Sequence, residues 1–325
     1  MREPTREEQI AIDAMKGAAS VMVCSHVNPD GDAIGSVIAL TLALKAAGLE
    51  VVATLADDTP APSTYEFLEG FDLFVPNREL VPPQLFVALD SPSWERLGAA
   101  QPLSFRAGGT LTIDHHRDNH RFAAYSLVEP EAASTGSMIW HMLPGLGVEP
   151  TPAIASACYV ALMTDTGRFS YGNTTSEALR DAADMIEAGA VATSLYQRVY
   201  ENRTPAAMAL LGRVLSRITL ANQDRVAYSW MEERDLTETG ATPEETENII
   251  DVVRQTGGIV VAAFFKVEGD HVKVSLRSKT RRFDVSAIAK EFSGGGHTAA
   301  AGCTVRGTLD DATGQILARL PGHFA

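Results

Sequence analysis

The chain has 325 residues, of which 45% are apolar and 21% charged, with a formal net charge of −14. That length is large for one core and suits two domains. The composition excludes a disordered or fibrous chain, and the acidic balance disfavours long-range attraction to nucleic-acid polymers or anionic membranes.

Residues 5–18 read as a helix, with Thr5 and Glu8 as a capping box and Ile10, Ala11, Ala14 and Met15 as its apolar stripe. "SVMVCS" (20–25) is a short apolar run of the kind that forms a buried parallel strand. A helix over 33–47 follows, ended by Gly48. "EVVATLA" (50–56), "QLFVALD" (84–90) and "TLTID" (110–114) are three more strands, and strands alternating with helices imply a parallel α/β sheet. Helices are expected at 135–143, 152–163, 175–188, 194–201 and 205–217. The texture then turns antiparallel. "RVAYSWME" (225–232), "GIVVAAFFKVEG" (258–269) and "HVKVSLRSK" (271–279) are strands, the last two joined by a tight turn at 268–270, with a helix over 284–292 and a strand over 299–306.

The longest apolar runs, near 37–44 and 153–163, fall short of the roughly 18 residues that span a bilayer. The N-terminal "MREPTREEQ" is charged and unlike a signal peptide, so a cytoplasmic protein without a membrane partner is expected. Cys24, Cys158 and Cys303 lie in apolar runs with no CxxC spacing and read as buried reduced thiols.

The chemistry lies where acidic residues and histidines fall. His26 ends the first strand, Asp90 ends "LFVALD", and Asp114, His115 and His116 end "TLTIDHH". Loops at the carboxyl ends of a parallel sheet meet in one crevice, where ligands bind. Asp165, in "TDTG" after an apolar run, reaches the same crevice from a helix end, and "SHVNPDGDAIGS" (25–36) adds Asp30 and Asp32. Four carboxylates in one crevice stay ionised only with cations between them. Imidazole with carboxylate suits divalent first-row ions, the oxygen-rich balance favours manganese or magnesium over zinc, and six ligands point to two ions. Asp30 and Asp32, at i and i+2 of an extended turn, would each face a different ion, and Asp90 would bridge. Taken singly, such a residue is more often a helix cap or loop hydrogen-bonder, and Asp32 has that alternative at the helix start. His120, His141, His271 and His323 lack a comparable setting and read as surface or structural residues.

In "SGGGHTAAAG" (293–302), Gly294, Gly295 and Gly296 precede His297; such a run serves either as an anion-binding nest or as a plain flexible turn. "KVSLRSKTRR" (273–282) carries Lys273, Arg277, Lys279, Arg281 and Arg282. Strand alternation puts Ser275, Arg277 and Lys279 on one face, where Arg277 suits a phosphate and the other cations suit either a ligand or a solvated edge.

"SHVNPDGDAIGS", "VALD", "DHH" and "TDTGRFSY" resemble the successive motifs of the DHH phosphoesterase superfamily, and "SLRS" with "GGGHTAAAG" resembles its DHH-associated C-terminal domain. From about residue 5 to 306 the chain is most similar to the nanoRNase/pAp phosphatase branch, the NrnA-type bifunctional oligoribonucleases, with no departure at a ligand position. The resemblance implies an α/β fold: a parallel-sheet catalytic domain over 1–190 with helices on both faces, a helical linker over 191–210, and a smaller mixed-sheet substrate-binding domain over 211–325, with the cleft between them. It implies that His26, Asp30 and Asp90 hold one Mn2+ and Asp32, Asp90, His115 and Asp165 a second, with Mg2+ as the alternative metal. It places His116 beside the scissile phosphate with Asp114 in support, and puts substrate on Ser275, Arg277, Ser278, Lys279 and Gly294–His297. A homodimer is expected.

The implied activity is metal-assisted phosphoester hydrolysis of short RNA (nanoRNA) to mononucleotides and of 3′-phosphoadenosine 5′-phosphate (pAp) to AMP and phosphate. One cation cluster on an acidic chain fits an anion of one to a few phosphates better than a long polymer. The alternatives are a hydrolase of linear or cyclic dinucleotides, a RecJ-like single-strand exonuclease, a manganese pyrophosphatase, which the "GGGH" loop argues against, and a non-enzymatic short-RNA binder, which would be expected to have lost a ligand.

Overall fold

A computed structural model describes residues 4–57, 61–280 and 282–320. These fall into two compact units, Met1–Glu201 and Asn202–Ala325, divided within the helical stretch that follows residue 190.

The first unit runs α1 (Arg6–Lys16), β1 (Val21–Cys24), α2 (Gly31–Ala46), β2 (Val51–Thr54), β3 (Leu85–Leu89), α3 (Gln101–Phe105), β4 (Gly109–Asp114), β5 (Tyr125–Val128), α4 (Thr135–Leu146), α5 (Pro152–Asp165), α6 (Ser176–Glu187) and α7 (Ala192–Tyr200). The five strands form one wholly parallel sheet in the order β2-β1-β3-β4-β5. Every residue of β1 and β3 is buried, because both faces are covered. Val21, Val23, Val87, Leu89 and Ile113 face the core shared with α2, α4 and α5; Met22, Cys24, Phe86 and Ala88 face Leu97, Ala100 and Leu103. The register sets Cys24 opposite Ala88 and Leu89 opposite Ile113, so three strands end side by side. Thr5 and Glu8 make the expected capping box on α1. The buried stripe of that helix is Ala11, Ile12 and Met15, however, and Ile10 points outward at 44% exposure.

Helices α2 and α5 cross closely, and small residues make this feasible. A Cβ on Gly35 would stand 2.5 Å from the Ala157 carbonyl, and one on Gly31 2.5 Å from the Thr164 side chain. Gly136, at the start of α4, packs into the same junction, where a Cβ would meet Ala161 at 2.4 Å. The N-termini of α2 and α4 are thereby fixed beside the C-terminus of α5.

The second unit runs α8 (Pro205–Ser216), β6 (Thr219–Ala221), β7 (Val226–Met231), α9 (Glu233–Thr239), α10 (Ile249–Val253), β8 (Val261–Glu268), β9 (His271–Ser278), α11 (Val285–Glu291), β10 (Gly295–His297), β11 (Ala300–Arg306) and α12 (Leu309–Arg319). Its six-stranded sheet has the order β10-β11-β9-β8-β7-β6 and is antiparallel except for the β7–β8 pair. The β8–β9 hairpin closes with Glu268 opposite His271, and Gly269 in its turn has a φ of 59°. Period-two alternation splits β8 between two cores: Val261, Ala263 and Phe265 pack toward α11 and α12, whereas Ala262 and Phe264 pack toward α8 and α10. The three cysteines are free and buried, as the sequence led us to expect. No helix among the described residues is long and apolar enough to cross a membrane.

Candidate metal centre

Four strand and helix ends of the first unit converge. Cys24 leads to His26, Leu89 to Asp90, and β4 ends in Asp114 followed by His115 and His116, while α5 ends in Asp165. Donor atoms of His26, Asp30 and Asp90 lie within 4.8 Å of one another, as do those of Asp32, Asp90 and His115, and those of Asp90, Asp114 and His116. Asp90 belongs to all three groups. Its backbone has a φ of 52°, a left-handed conformation that costs an aspartate energy.

Asp30 and Asp32 do not sit in an extended turn. Asp30 caps α2, its Oδ1 accepting the N–H groups of Asp32 and Ala33 at 3.0 and 3.1 Å, and Asp32 lies in the first helical turn. The capping role weighed for Asp32 belongs to Asp30, which is exposed, whereas Asp32 is 1% exposed. Asp32 Oδ1 accepts the Ser36 hydroxyl and the Gly136 N–H, both at 2.9 Å, and Oδ2 accepts the Thr135 N–H at 2.8 Å. A carboxylate offers about four acceptor sites. The last, on Oδ2, is on the atom 3.6 Å from His115 Nε2.

His115 is set by its far side. Its Nδ1 lies 3.1 Å from the Ala132 carbonyl, and donation there leaves the Nε2 lone pair facing the acidic cluster. Nε2 is 3.6 Å from Asp90 Oδ1 and 3.7 Å from Asp165 Oδ2. These separations are too long for hydrogen bonds and suit donors arranged around a cation. His26 Nε2 also faces the cluster, 3.4 Å from Asp90 Oδ2, but its Nδ1 lies between two neighbours of opposite demand: the Val27 carbonyl at 2.8 Å accepts a proton from it, whereas Arg96 Nη2 at 3.0 Å can only donate to it; the tautomer bonded to Val27 is the one that leaves the Nε2 lone pair for the cluster. Asp165 is steered by Asn173, whose Nδ2 donates to Asp165 Oδ2 at 3.1 Å and to the Ala133 carbonyl at 3.0 Å.

The electrostatics follow from burial and crowding. Burial raises Asp32 to about 7, helped by Asp165 and Asp30 and opposed by His115 and the Thr135 N–H. Burial and the Asp32 charge hold Asp90 well above the usual carboxylate range. Asp114 goes the other way: burial pushes it up, but the hydrogen bonds from His116 and Asn119 outweigh this and hold it at about 2. For His116, burial pushes down and Asp114 and Asp90 pull up more strongly, to about 9. His115 is likewise raised, the carboxylates of Asp165, Asp32 and Asp90 overcoming its burial. A set of buried oxygens and imidazoles that repel their own charge fits divalent ions, which would relieve that repulsion.

The remaining sequence-predicted residues lie in the second unit. Ser275 and Arg277 are on the half-exposed face of β9, with Val274 and Leu276 on its core face. Arg277 Nε donates to Asp251 Oδ1 at 3.1 Å. Lys279 is exposed and its ammonium donates to the Thr256 carbonyl at 2.6 Å. Ser278 is buried and spends its hydroxyl on the Thr280 carbonyl at 2.8 Å, because the alternation that exposes Arg277 turns Ser278 inward. The glycine triplet is not an open turn: Gly295 and Gly296 lie in β10, paired with Gly302 and Ala301, and His297 pairs with Ala300. A Cβ on Gly294 would stand 2.1 Å from the Gly302 carbonyl, so close approach to β11 requires a glycine there. Arg281 and His323 fall outside the described residues. Reading the sequence missed Asn119, Asn173, Ser36, Thr135 and Arg96, which orient the motif residues by hydrogen bonds: Ser36 from the next turn of α2, Thr135 from the start of α4, and the two asparagines from loops shortly after their motifs.

Two family models match: "DHH family, N-terminal domain" over residues 20–162 and "DHHA1 domain" over 223–320. The bifunctional oligoribonuclease and PAP phosphatase NrnA of Thermus thermophilus is 36% identical over 301 residues, covering 91% of this chain and 88% of that protein. The protein of the same name from Bacillus subtilis is 28% identical, covering 88% and 89%. Among solved structures, an exopolyphosphatase-related protein from Bacteroides fragilis superposes with a TM-score of 0.88 at 22% identity over 96% of each chain. RecJ of Thermus thermophilus, solved with Mn2+, gives 0.55 at 15% identity over 97% of this chain and 55% of that one. The two structural matches bear on the fold alone.

Proposed function

This chain belongs to the DHH family and carries a DHHA1 domain, and from that premise we propose that it is a metal-dependent phosphoesterase that cleaves short oligoribonucleotides to mononucleotides and pAp to AMP and phosphate. The observation that carries the reading is the sharing of the buried Asp90 between two donor groups, one of them buried throughout, in a chain similar over 91% of its length to a protein that bears both activities in its name.

We assign His26, Asp30 and Asp90 to one ion and Asp32, Asp90, His115 and Asp165 to a second, with manganese as the metal and magnesium as the alternative. Such ions supply Lewis acidity that makes water nucleophilic near neutral pH and offsets charge on a phosphoryl group. The protein's own contribution is placement. Backbone carbonyls next to the two ligand imidazoles leave Nε2 directed inward, Ser36 and the N-terminus of α4 lock Asp32, and Asn173 locks Asp165. Asp114 has both oxygens committed to His116 and Asn119 and is therefore a support rather than a ligand. We place His116, held through Nδ1 by Asp114, beside the phosphoryl group, where a proton or its charge would stabilise the transition state. The second unit takes the role of substrate-binding domain through Ser275, Arg277, Lys279 and the Gly294–His297 segment, with Ser278 shaping the strand from inside. A cytoplasmic homodimer completes the reading.

The test is turnover by the purified protein in manganese buffer on pAp, a ladder of two- to five-nucleotide RNAs, pGpG, cyclic di-AMP and pyrophosphate. Release of phosphate from pAp together with trimming of the short RNAs is expected. Exclusive turnover of pyrophosphate or of a cyclic dinucleotide, or binding of RNA without product, overturns the proposal.

A further inference from the structure

Asn119 lies in the loop after β4, is 9% exposed, and makes every hydrogen bond its amide group directs inward. Its Nδ2 donates to Asp114 Oδ2 at 2.7 Å and to the Ser91 carbonyl at 3.2 Å, and its Oδ1 accepts the Arg121 N–H at 2.7 Å. Asp114 in turn accepts the His116 N–H at 3.2 Å and His116 Nδ1 at 2.8 Å, both on Oδ1. The two oxygens of Asp114 thus serve different masters: one holds the imidazole, the other is fixed by Asn119. Ser91 follows Asp90 directly, so the same amide also ties the loop after β3 to the loop after β4.

From this relay we infer that Asn119 is a positioning residue for the reaction. It holds Asp114 in the one rotamer that aims His116 Nε2 at the reacting phosphate and keeps a proton on His116 Nδ1, and it sets the separation between Asp90 and His116. The inference rests on the phosphoesterase reading. A carboxylate freed on one oxygen can rotate, and a buried imidazole hydrogen-bonded to it then loses both orientation and tautomer. A wholly structural asparagine would instead affect stability and leave the imidazole where it is.

The experiment compares wild type with Asn119→Ala and with Asn119→Asp, which keeps the shape but replaces the donor with a second carboxylate facing Asp114. Steady-state kinetics on pAp, Mn2+ binding by calorimetry, and the ring nitrogens of His116 by 15N NMR are recorded for each. Loss of the supporting hydrogen bond should lower kcat roughly 10–100-fold in Asn119→Ala, and at least as far in Asn119→Asp, with KM and the Mn2+ Kd within about threefold of wild type. Wild-type His116 should show a protonated Nδ1, and the variants should lose that signal's protection from exchange. Unchanged kcat in either variant, a kcat loss matched by an equal loss of Mn2+ affinity, or an unprotonated Nδ1 in wild-type His116 overturns the inference. Should both variants fail to fold, the wild-type spectrum decides. Should wild type turn over none of the phosphoesters, the proposed activity fails while the spectrum still decides the relay.

Discussion

His115 Nε2 stands 3.6 Å from Asp90 Oδ1, both side chains buried, at the ends of neighbouring strands. Burial and neighbouring carboxylates raise the proton affinity of both acids, Asp32 and Asp30 acting on Asp90, and Asp165 and Asp30 on Asp32. A divalent ion bound only by the folded protein must therefore stabilise it, by about 2.7 kcal/mol at a free concentration one hundred times Kd. Chelator-treated protein should show a higher Tm on adding Mn2+. Asp90→Ala should abolish turnover and this metal-induced shift while leaving the metal-free Tm at or above the wild-type value, because it removes a buried charge. Wild-type-like activity in Asp90→Ala would falsify the metal assignment.

The same crowding fixes how metal-free stability changes with pH. Asp32 rises from its ordinary 3.8 to about 7, and His116 from 6.5 to about 9. In both cases the folded state holds the proton more tightly, so the stability each contributes is complete below its unfolded pKa and is lost as pH climbs through the folded one. Asp114, lowered to about 2, acts oppositely: its contribution is present above 3.8 and lost as pH falls toward 2. Urea unfolding of metal-stripped protein should thus show declining stability from about pH 4 to about 9. The stabilisation by Mn2+ should grow from about pH 4 to about 7, since the ion displaces the proton of Asp32, one of its assigned ligands. A metal-free protein that gains stability steadily from pH 5 to 8 would contradict the proton-holding cluster.

The two units differ in how much of them the sequence disclosed. β1 and β3 were legible because a strand buried on both faces is an uninterrupted apolar run, β4 because Thr110–Ile113 alternates polar and apolar β-formers, and their convergence follows from parallel topology alone. β5 was missed: "YSLV" is a short edge strand with Tyr125 44% exposed. β6 and β10 span three residues each, too few for a period to register. The motif residues were legible because their types announce chemistry. Asn119 and Asn173 were not, since an amide in a loop resembles any turn former until its partner arrives from elsewhere in the chain. Asp30 exchanged roles with Asp32 because a capping residue precedes the first helical turn, and α2 begins two residues earlier than its apolar pattern suggests.

The glycine triplet separates steric need from chemical use. A Cβ on Gly294 would collide with the Gly302 carbonyl at 2.1 Å and Cys303 Cβ at 2.6 Å, whereas one on Gly295 would meet nothing within 4 Å. Gly294→Ala should detach β10 from β11, seen as accelerated amide exchange at 295–297 and a lower Tm of the second unit. Gly295→Ala should leave Tm unchanged to within about 0.5 kcal/mol of stability, apart from the small conformational change expected at a glycine site. If the segment approaches substrate with its backbone, Gly295→Ala should still raise KM. Equal stability losses in the two variants would refute the packing account.

In the proposed reading, Arg277 joins packing to recognition in the second unit. Its side chain is 21% exposed; Nε donates to Asp251 Oδ1 at 3.1 Å and Nη1 to the Leu276 carbonyl at 3.2 Å, and together they fix the guanidinium plane. A guanidinium whose plane is fixed in this way offers a phosphate a preset orientation, and hydrogen bonds to charged groups contribute about 1.5–3 kcal/mol each. Arg277→Ala should therefore raise KM for pAp by roughly tenfold or more with little change in kcat. Arg277→Lys should recover little, since an ammonium cannot hold Asp251 and grip a phosphate in the same plane. Asp251→Ala, which keeps the charge but frees the plane, should fall between wild type and Arg277→Ala. If instead Arg277→Ala lowers Tm and leaves KM untouched, the arginine serves only its ion pair with Asp251, and the phosphate contact must be sought on Lys279 or the β10 backbone.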